Sequence, residues 1–463
     1  MDKECAEFLV STQAIDVYCE LKANFIANDE FRIANFLDRK AGFSIEKRTA
    51  LMEMYTQRIR AKAKLPMSDT WFFERNALEQ ASSYPVAVFH RIVSRICVHN
   101  FDNTELLDGC AGLGIDSYYL GAETCGKIHI YLDALSAEYL AAHDNIVEKS
   151  DIHGFKKIFV PEKAARITAI EWNEALFILM RKNLEKLSFC SCINEDITEF
   201  LLSSTKIDKF GFMYFDPSRR TAEHKRITDI DDYSPAPSEI MQILKNRNYR
   251  GSIGFKLAPT FMKFSSQPTQ NIEWAENASV FVVSYKNEIK ETFVLHSQKA
   301  PSQKFAVVLK NTNNDVEVFI TNSESESVND LPVKMPVEGN FLIHPAPALR
   351  SLELIPPDLD KKSQNLSKFE FGNPLILAET LISSKIGQTY EILAVTKLAF
   401  SEVKRELHKK NSYAFFVKSY NVNFKLDGFA KLSKIGGNPA YLFIVKTSDG
   451  LRCLITQNLE TGE

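Results

Sequence analysis

Leu106-Leu107-Asp108-Gly109-Cys110-Ala111-Gly112-Leu113-Gly114 decides the fold class of this chain. An apolar run ends in Asp108 and opens into a glycine loop, and the residues from Ile115 onward have helical spacing. A strand, a loop and a helix in that order form the first unit of a nucleotide-type α/β domain, because glycines there let backbone approach a ligand closely. A second apolar run, 210–215, ends in Asp216-Pro217-Ser218-Arg219-Arg220.

Outward from these two stretches, β and α signals alternate over 105–295, with strands expected at 105–107, 166–170, 189–194, 210–215, 252–257 and 280–284. Such alternation predicts a parallel sheet with helices on both faces. Residues 1 to about 100 read mostly as helix, since their apolar residues recur at helical spacing. Polar clusters at 310–315 and 322–327 mark turns in a β-rich stretch, and Phe341-Leu342-Ile343-His344-Pro345-Ala346-Pro347 opens another small unit. From Thr389 the pattern runs strand, helix (401–410) and strand, with a Gly436-Gly437 turn, a small α+β module.

At 463 residues the chain exceeds one core, so several domains are expected. Apolar residues make up 45% and charged residues 25%, the balance of a soluble globular protein, and the net charge of −3 gives no global pull toward nucleic acid. Charge is uneven, though: residues 381–463 carry 12 Lys/Arg against 7 Asp/Glu, which suits a polyanionic substrate as well as a solvated face. Met1-Asp2-Lys3-Glu4 is no signal core and no apolar run is long enough to span a bilayer, so a cytoplasmic protein with no membrane partner is expected. The eight cysteines form no paired C-x-x-C sets; neither structural zinc nor a disulfide framework is indicated.

Three ligand types compete for the loop. A phosphate-binding loop needs Gly-Lys-Ser/Thr, which is absent, and a dinucleotide fingerprint wants a third glycine where this chain has Ser117. S-adenosylmethionine (SAM) has no pyrophosphate and needs no third glycine, so SAM is favoured. In this reading Gly109, Cys110, Gly112 and Gly114 line the cofactor, with Gly112 and Gly114 keeping side chains out of its way, while Cys110 is a small packing residue. The next strand should end in an acid that accepts hydrogen bonds from the ribose hydroxyls. Asp133 lies 25 residues after Asp108 and Glu171 lies 63 after it. Glu171 is chosen because Asp196 follows it by 25 residues and Asp216 follows by 20 more, an even strand-helix rhythm. Residues from about 126 to 165 then become an insertion. Asp196 and the backbone of Ile197 would take the adenine, with Trp172 against its ring. Acids at strand ends also cap following helices, which is the structural alternative for Glu171 and Asp196.

Methyl transfer from a sulfonium is an in-line displacement, so the protein must align a nucleophile, exclude water and at times take a proton. Asp216 and the Pro217 carbonyl stand at the strand end where a nucleophile would be held, with Ser218 and Arg219 beside them. Arg219 and Arg220, with His224, Lys225 and Arg226, could grip phosphates, or pair with Asp229, Asp231 and Asp232. Ser218-Arg219 stands where base-amine methyltransferases carry a stacking aromatic, and no cysteine pattern for covalent C5 chemistry is evident.

These residues together resemble the bacterial class I SAM-dependent methyltransferases with a C-terminal THUMP-like domain. Lys64-Leu65-Pro66 and Glu79-Gln80-Ala81-Ser82-Ser83 are similar to that family's segments ahead of the glycine loop. Asp108 through Asp116 is similar to the loop itself and Asp216 through Arg220 to its "DPxRR". Lys256-Leu257-Ala258-Pro259, the segment from His344 to Arg350, Asn421-Val422-Asn423-Phe424 and Gly436-Gly437 with Tyr441-Leu442-Phe443 complete the match. The resemblance implies a Rossmann-like methyltransferase sheet over 101–297, a helical N-terminal domain over 1–100, a β-rich or ferredoxin-like part over 298–388 and a THUMP-like α+β domain over 389–463. It implies SAM contacts from Asp108, Gly112, Gly114, Asp116, Glu171 and Asp196, a pocket closed by Gln80 and Ser82, a substrate side at 216–219, no metal, and RNA as substrate class. Two rival classes are a non-catalytic RNA-binding protein that retains the fold and an NAD-linked oxidoreductase.

Overall fold

The structure, a computed structural model, describes residues 1–25, 29–40, 42–98, 104–140, 147–152, 154–160, 162–220, 227, 229–261, 273–297, 302–312, 315–359, 365–371, 374–420, 422, 429–434 and 436–459. The N-terminal part is helical as expected: α1 (Lys3–Leu9), α2 (Thr12–Asn24), α3 (Glu30–Asp38), α4 (Ile45–Ala61), α5 (Arg75–Gln80) and α6 (Tyr84–Cys97). Asp2, Ser11, Asp29 and Ser44 start the first four, each side chain accepting an otherwise orphaned backbone N–H. Pro85 sits in the first turn of α6, where no backbone donor is needed. Every residue of α6 is buried, because it is wedged between the helical layer and the sheet described next.

The chain then runs β1 (Glu105–Asp108), α7 (Ile115–Gly121), β2 (Ile128–Leu132), α8 (Ala134–Leu140), β3 (Val147–Ile152), β4 (Phe155–Phe159), β5 (Arg166–Ile170), α9 (Glu174–Leu184), β6 (Cys190–Ile193), α10 (Ile197–Ser203), β7 (Phe210–Phe215), α11 (Pro237–Asn246), β8 (Ser252–Leu257), β9 (Ser279–Tyr285), β10 (Glu288–His296), β11 (Lys304–Thr312) and β12 (Asp315–Asn322). These twelve strands form one sheet in the order β3-β4-β2-β12-β11-β9-β10-β8-β7-β1-β5-β6. β6, β5, β1, β7 and β8 are mutually parallel, as the alternation predicts. β10, which was not among the expected strands, inserts antiparallel between β8 and β9, so the sheet is mixed.

Two expected boundaries fail here. The break at 297/298 falls inside this sheet, since β11 pairs parallel with β9 and β12 pairs parallel with β2. Residues 126–165 are no excursion either: Val318 and Ile320 of β12 align with Ile130 and Leu132 of β2, and β4 and β3 extend the sheet beyond. The apolar faces of these strands require it. Ile130, Leu132, Val316, Val318 and Ile320 are buried in the same core as α6. There Phe89 meets Phe281 and Phe293 edge-on at 5.7 and 5.9 Å, each contact worth about 1 kcal/mol beyond its buried area.

The buried arginines of α6 have a definite task. Arg91 donates to the carbonyls of Tyr119, Ala122 and Glu123, and Arg95 to those of Leu120 and Lys163. They satisfy the last carbonyls of α7, where the helix dipole also favours a cation.

A second sheet is built from β13 (Phe341–Pro345), β14 (Ser367–Lys368), β15 (Ile376–Ala378), β16 (Gly387–Lys397), β17 (Ser412–Ser419), β18 (Asn438–Thr447) and β19 (Gly450–Asn458), in the order β14-β15-β13-β16-β19-β18-β17. Helix α12 (Pro347–Ser351) leads Ala348 and Leu349 onto the large sheet against Val308 and Phe319, and α13 (Phe400–Lys409) covers one face of the small one through Val403 and Leu407. No helix among the described residues is long and apolar enough to cross a membrane, and none of their His, Cys, Asp and Glu side chains cluster as a metal site.

Candidate cofactor and active site

The chain order turns at β1: β5 and β6 lie to one side and β7 and β8 to the other. In an open α/β sheet the crevice beyond the strand ends at such a point is where a ligand binds. Four acids end its strands. Asp108 ends β1, Glu171 follows β5, Asp196 precedes α10 and Asp216 follows β7.

Glu171 caps no helix, whereas Asp196 does. Glu171 is 6% exposed; its carboxylate accepts from the Gly112 N–H at 2.9 Å and the Asn173 N–H at 2.8 Å, and Asn173, not Glu171, caps α9. The acid therefore clasps the glycine loop from the next strand. Burial pushes its pKa up to about 7, against the pull of those two donors. Asp196 does cap its helix, accepting from the N–H groups of Thr198 and Glu199. Ile197 is buried with its side chain in the core beneath α10, and Trp172 is 71% exposed over the crevice rim. Asp133 lies at the end of β2 among outer strands, where it accepts from Ser136, Asn322 and Ser325. It ties the end of β2 to the end of β12 and the turn that follows.

The loop glycines differ from one another. Gly112 has φ +54°, and a Cβ there would meet nothing within 4 Å, so its missing side chain leaves open space at the strand ends. Gly109 is needed because a Cβ would lie 2.5 Å from the Phe215 ring. Gly114 differs: with φ +82°, a Cβ would meet Leu184 and Met180 at 2.9 and 3.1 Å. The missing Gly114 side chain makes room for α9. Ser117 explains itself, donating to the Asp108 carboxylate at 2.6 Å. Asp108 is fully buried and burial raises its pKa to about 7. Cys110 packs beside the Phe215 cluster, and burial drives its thiol far above the usual range.

Beneath the loop lies a buried charge network that the sequence did not disclose. Asp116, in the first turn of α7, bonds His90 Nδ1 at 2.8 Å and accepts from the Ser82 hydroxyl at 2.8 Å. His90 Nε2 bonds Glu291 on β10 at 2.7 Å. Burial would discharge this imidazole, but Glu291 and Asp116 outweigh it and raise the pKa to about 9. Burial would likewise raise Asp116, and the His90 charge overrides it, holding the carboxyl below its ordinary range. Lys256, near the end of β8, donates to Asp216 at 2.6 Å, to Ser82 at 3.1 Å and to the Gln80 carbonyl at 3.4 Å. Despite full burial, the charges of Asp216, Asp116 and Glu291 keep its pKa above the usual value. Lys64 donates to the Leu78 and Glu79 carbonyls, fixing the turn that carries Gln80 and Ser82; burial, then the neighbouring Lys256, lowers its pKa to about 8.

Gln80 and Ser82 thus reach the site by anchoring Lys256 and Asp116. The Gln80 side chain itself turns back to the Asn76 carbonyl. After Asp216 and Pro217, Ser218 pairs backbone-to-backbone with Ser234. Arg220 pairs with Glu79 at 3.8 Å rather than with Asp229, Asp231 or Asp232, and Arg219 makes no side-chain bond with the described residues. His224, Lys225 and Arg226, like Asn421, Asn423 and Phe424, lie outside the described residues.

No family model and no curated protein matches this chain. A solved structure does. A crystallised candidate methyltransferase from Porphyromonas gingivalis W83 is 19% identical, over 94% of this chain and 100% of that one, with a TM-score of 0.63. The two proteins share one fold. A candidate class I S-adenosylmethionine-dependent methyltransferase from Listeria monocytogenes follows at 10% identity, over 66% of this chain and 93% of that one, with a TM-score of 0.34. A candidate methyltransferase from Streptococcus mutans in complex with SAH matches at 13% identity, over 48% and 98%, with a TM-score of 0.26. At their scores the last two carry no argument about this chain.

Proposed function

We propose that this protein is a SAM-dependent methyltransferase acting on RNA. The observation that carries the reading is the clasp of Glu171 on Gly112 at the switch point, with open space where a Gly112 side chain would stand. SAM supplies a methyl group already activated on its sulfonium. The residues present fit such a ligand: Glu171 has carboxylate lone pairs left for ribose hydroxyls, the loop backbone at 109–112 offers close approach, and Trp172 offers an exposed ring face. Asp196 retains acceptor capacity beyond its helix cap.

On the substrate side, Lys256 fixes the Asp216 carboxylate, which is positioned to orient an amine, hydroxyl or ring nitrogen or to take its proton. Arg219 stands beside it, half-buried and uncommitted among the described residues. Calorimetric titration with SAM, S-adenosylhomocysteine and NAD tests the cofactor. Micromolar affinity for the two adenosyl ligands and none for NAD is expected. Binding of NAD alone would transfer the site to hydride chemistry, and binding of none would leave a scaffold.

RNA as substrate class is supported by Arg219 and by the positive surplus of residues 381–463. Replacing Arg219 and Arg220 together by Ala is expected to weaken RNA binding and to reduce its salt slope by about 2, leaving SAM affinity as it was. An unchanged slope would remove these arginines from the RNA contact.

A further inference from the structure

The second sheet collects positive charge around one ring, Tyr420. Lys418 lies in β17 and Tyr420 just past its end, two residues on. Lys418 Nζ lies 5.3 Å from the centre of the Tyr420 ring and Arg350 Cζ lies 5.7 Å from it. Arg350 arrives from another element, α12. We propose that Arg350, Lys418 and Tyr420 form a binding site for a phosphate-type oxyanion, built from different elements than the crevice at the switch point.

The geometry fixes the guanidinium. Arg350 Nη1 donates to the Tyr420 hydroxyl oxygen at 3.1 Å, and that hydroxyl is hydrogen-bonded in turn to His344 Nε2. His344 is 6% exposed; burial, with Arg350 and Lys418 nearby, holds its pKa well below the usual value, so the ring is neutral and accepts the hydroxyl proton. Tyr420 is therefore a pivot that spends its acceptor on Arg350 and its donor on His344. The remaining guanidinium donors have no partner among the described residues.

Among the described residues the cluster lacks an acid. Neither Arg350 nor Lys418 makes an ion pair among the described residues, and burial with the Arg350 charge pushes Lys418 down to about 8. Two half-buried cations held on one ring repel each other and have lost part of their hydration. A tetrahedral dianion removes both penalties: it takes two N–H bonds from the planar guanidinium fork and one from the ammonium. The groups facing the pair carry no compensating charge: His344 is neutral, the Tyr420 hydroxyl is raised to about 12 by burial and donates to His344, and the Tyr390 hydroxyl donates to Gln388. Free inorganic phosphate supplies this dianion, and a nucleic-acid backbone phosphodiester supplies the same tetrahedral oxyanion with a single charge.

The full-length protein is melted in chloride and in inorganic phosphate at matched ionic strength. Phosphate should raise the midpoint saturably, with a Kd on the order of 1 mM. Arg350→Met and Lys418→Met should each abolish the shift. In chloride Lys418→Met should be at least as stable as the parent, since it loses an unpaired charge, whereas Arg350→Met also gives up the bond to the Tyr420 hydroxyl. With sulfate, which does not titrate in this range, the shift should fade as pH rises above about 8. A short single-stranded RNA that displaces phosphate and binds at least about tenfold tighter would make the backbone the occupant. An RNA that leaves the phosphate titration unchanged would make free phosphate the occupant. A phosphate shift no larger than that of chloride, a shift that survives both substitutions, or a loss of stability of Lys418→Met in chloride (the sign of a hidden counter-ion) would overturn the site. None of these readouts involves SAM, so they stand apart from the fate of the methyltransferase reading.

Discussion

His90→Leu is expected to cost about 3–5 kcal/mol of stability, because it leaves Asp116 and Glu291 facing each other without the cation between them. The histidine is fully buried, and the neighbouring carboxylates raise its pKa from 6.5 to about 9, a preference for the charged form of about 3 kcal/mol. A pKa raised on folding means that this contribution is complete below pH 6.5 and is lost as pH rises through 9. Asp108 and Glu171, raised to about 7, and Lys64 and Lys418, lowered to about 8, also titrate in this range, but in the parent and in the variant alike. The denaturation midpoint should therefore fall more steeply between pH 7 and pH 9.5 in the parent protein than in His90→Leu, the difference between the two slopes being the His90 contribution. A variant that keeps the parent's slope would mean that His90 is neutral in the folded state.

Gly112→Val should lower SAM affinity by at least about 100-fold while the protein stays folded. The new side chain has nothing to collide with inside the protein, so it projects into the open space at the strand ends. Holding a β-branched residue at φ +54° adds about 1–2 kcal/mol of backbone strain, which the fold can absorb. Gly114→Ala is the matched control with the opposite signature. Its methyl group drives into Leu184 and Met180 at φ +82°, so stability should drop, and SAM binding should weaken only as far as the fold does. Calorimetry alongside thermal melts separates the two. Full SAM affinity in a folded Gly112→Val protein would take the ligand away from this loop.

That pair of glycines also shows how much the residue string discloses. Asp108 through Gly114 and the strand ending at Asp216 announce the crevice, because an apolar run stopping at an acid is a local pattern. The spacing from Glu171 to Asp196 to Asp216 selects Glu171 over Asp133, and the structure brings Glu171 to the loop. Yet Gly112 and Gly114 look alike in the string, and only the position of α9 shows that one faces space and the other faces Leu184. His90 is a single histidine in an apolar helix, and its partners come from α7 and β10, the latter 201 residues away. Lys256 and Ser82 are 174 residues apart for the same reason. Residues 126–165 read as an insertion because the partner that completes β2 is not a neighbour in the chain.

The pairing of β2 with β12 also sets a schedule for the ribosome. Leu132 must wait for Ile320 before the strand has both neighbours. At ordinary translation rates that interval is roughly 10–40 s. β4 arrives early and can cover one flank of β2. The other flank, with Ile130 and Leu132 on it, emerges as an open template for any strand that passes. The nascent chain is thus most open to misassembly midway through its synthesis, and the closing of the sheet, not the making of the crevice, comes last.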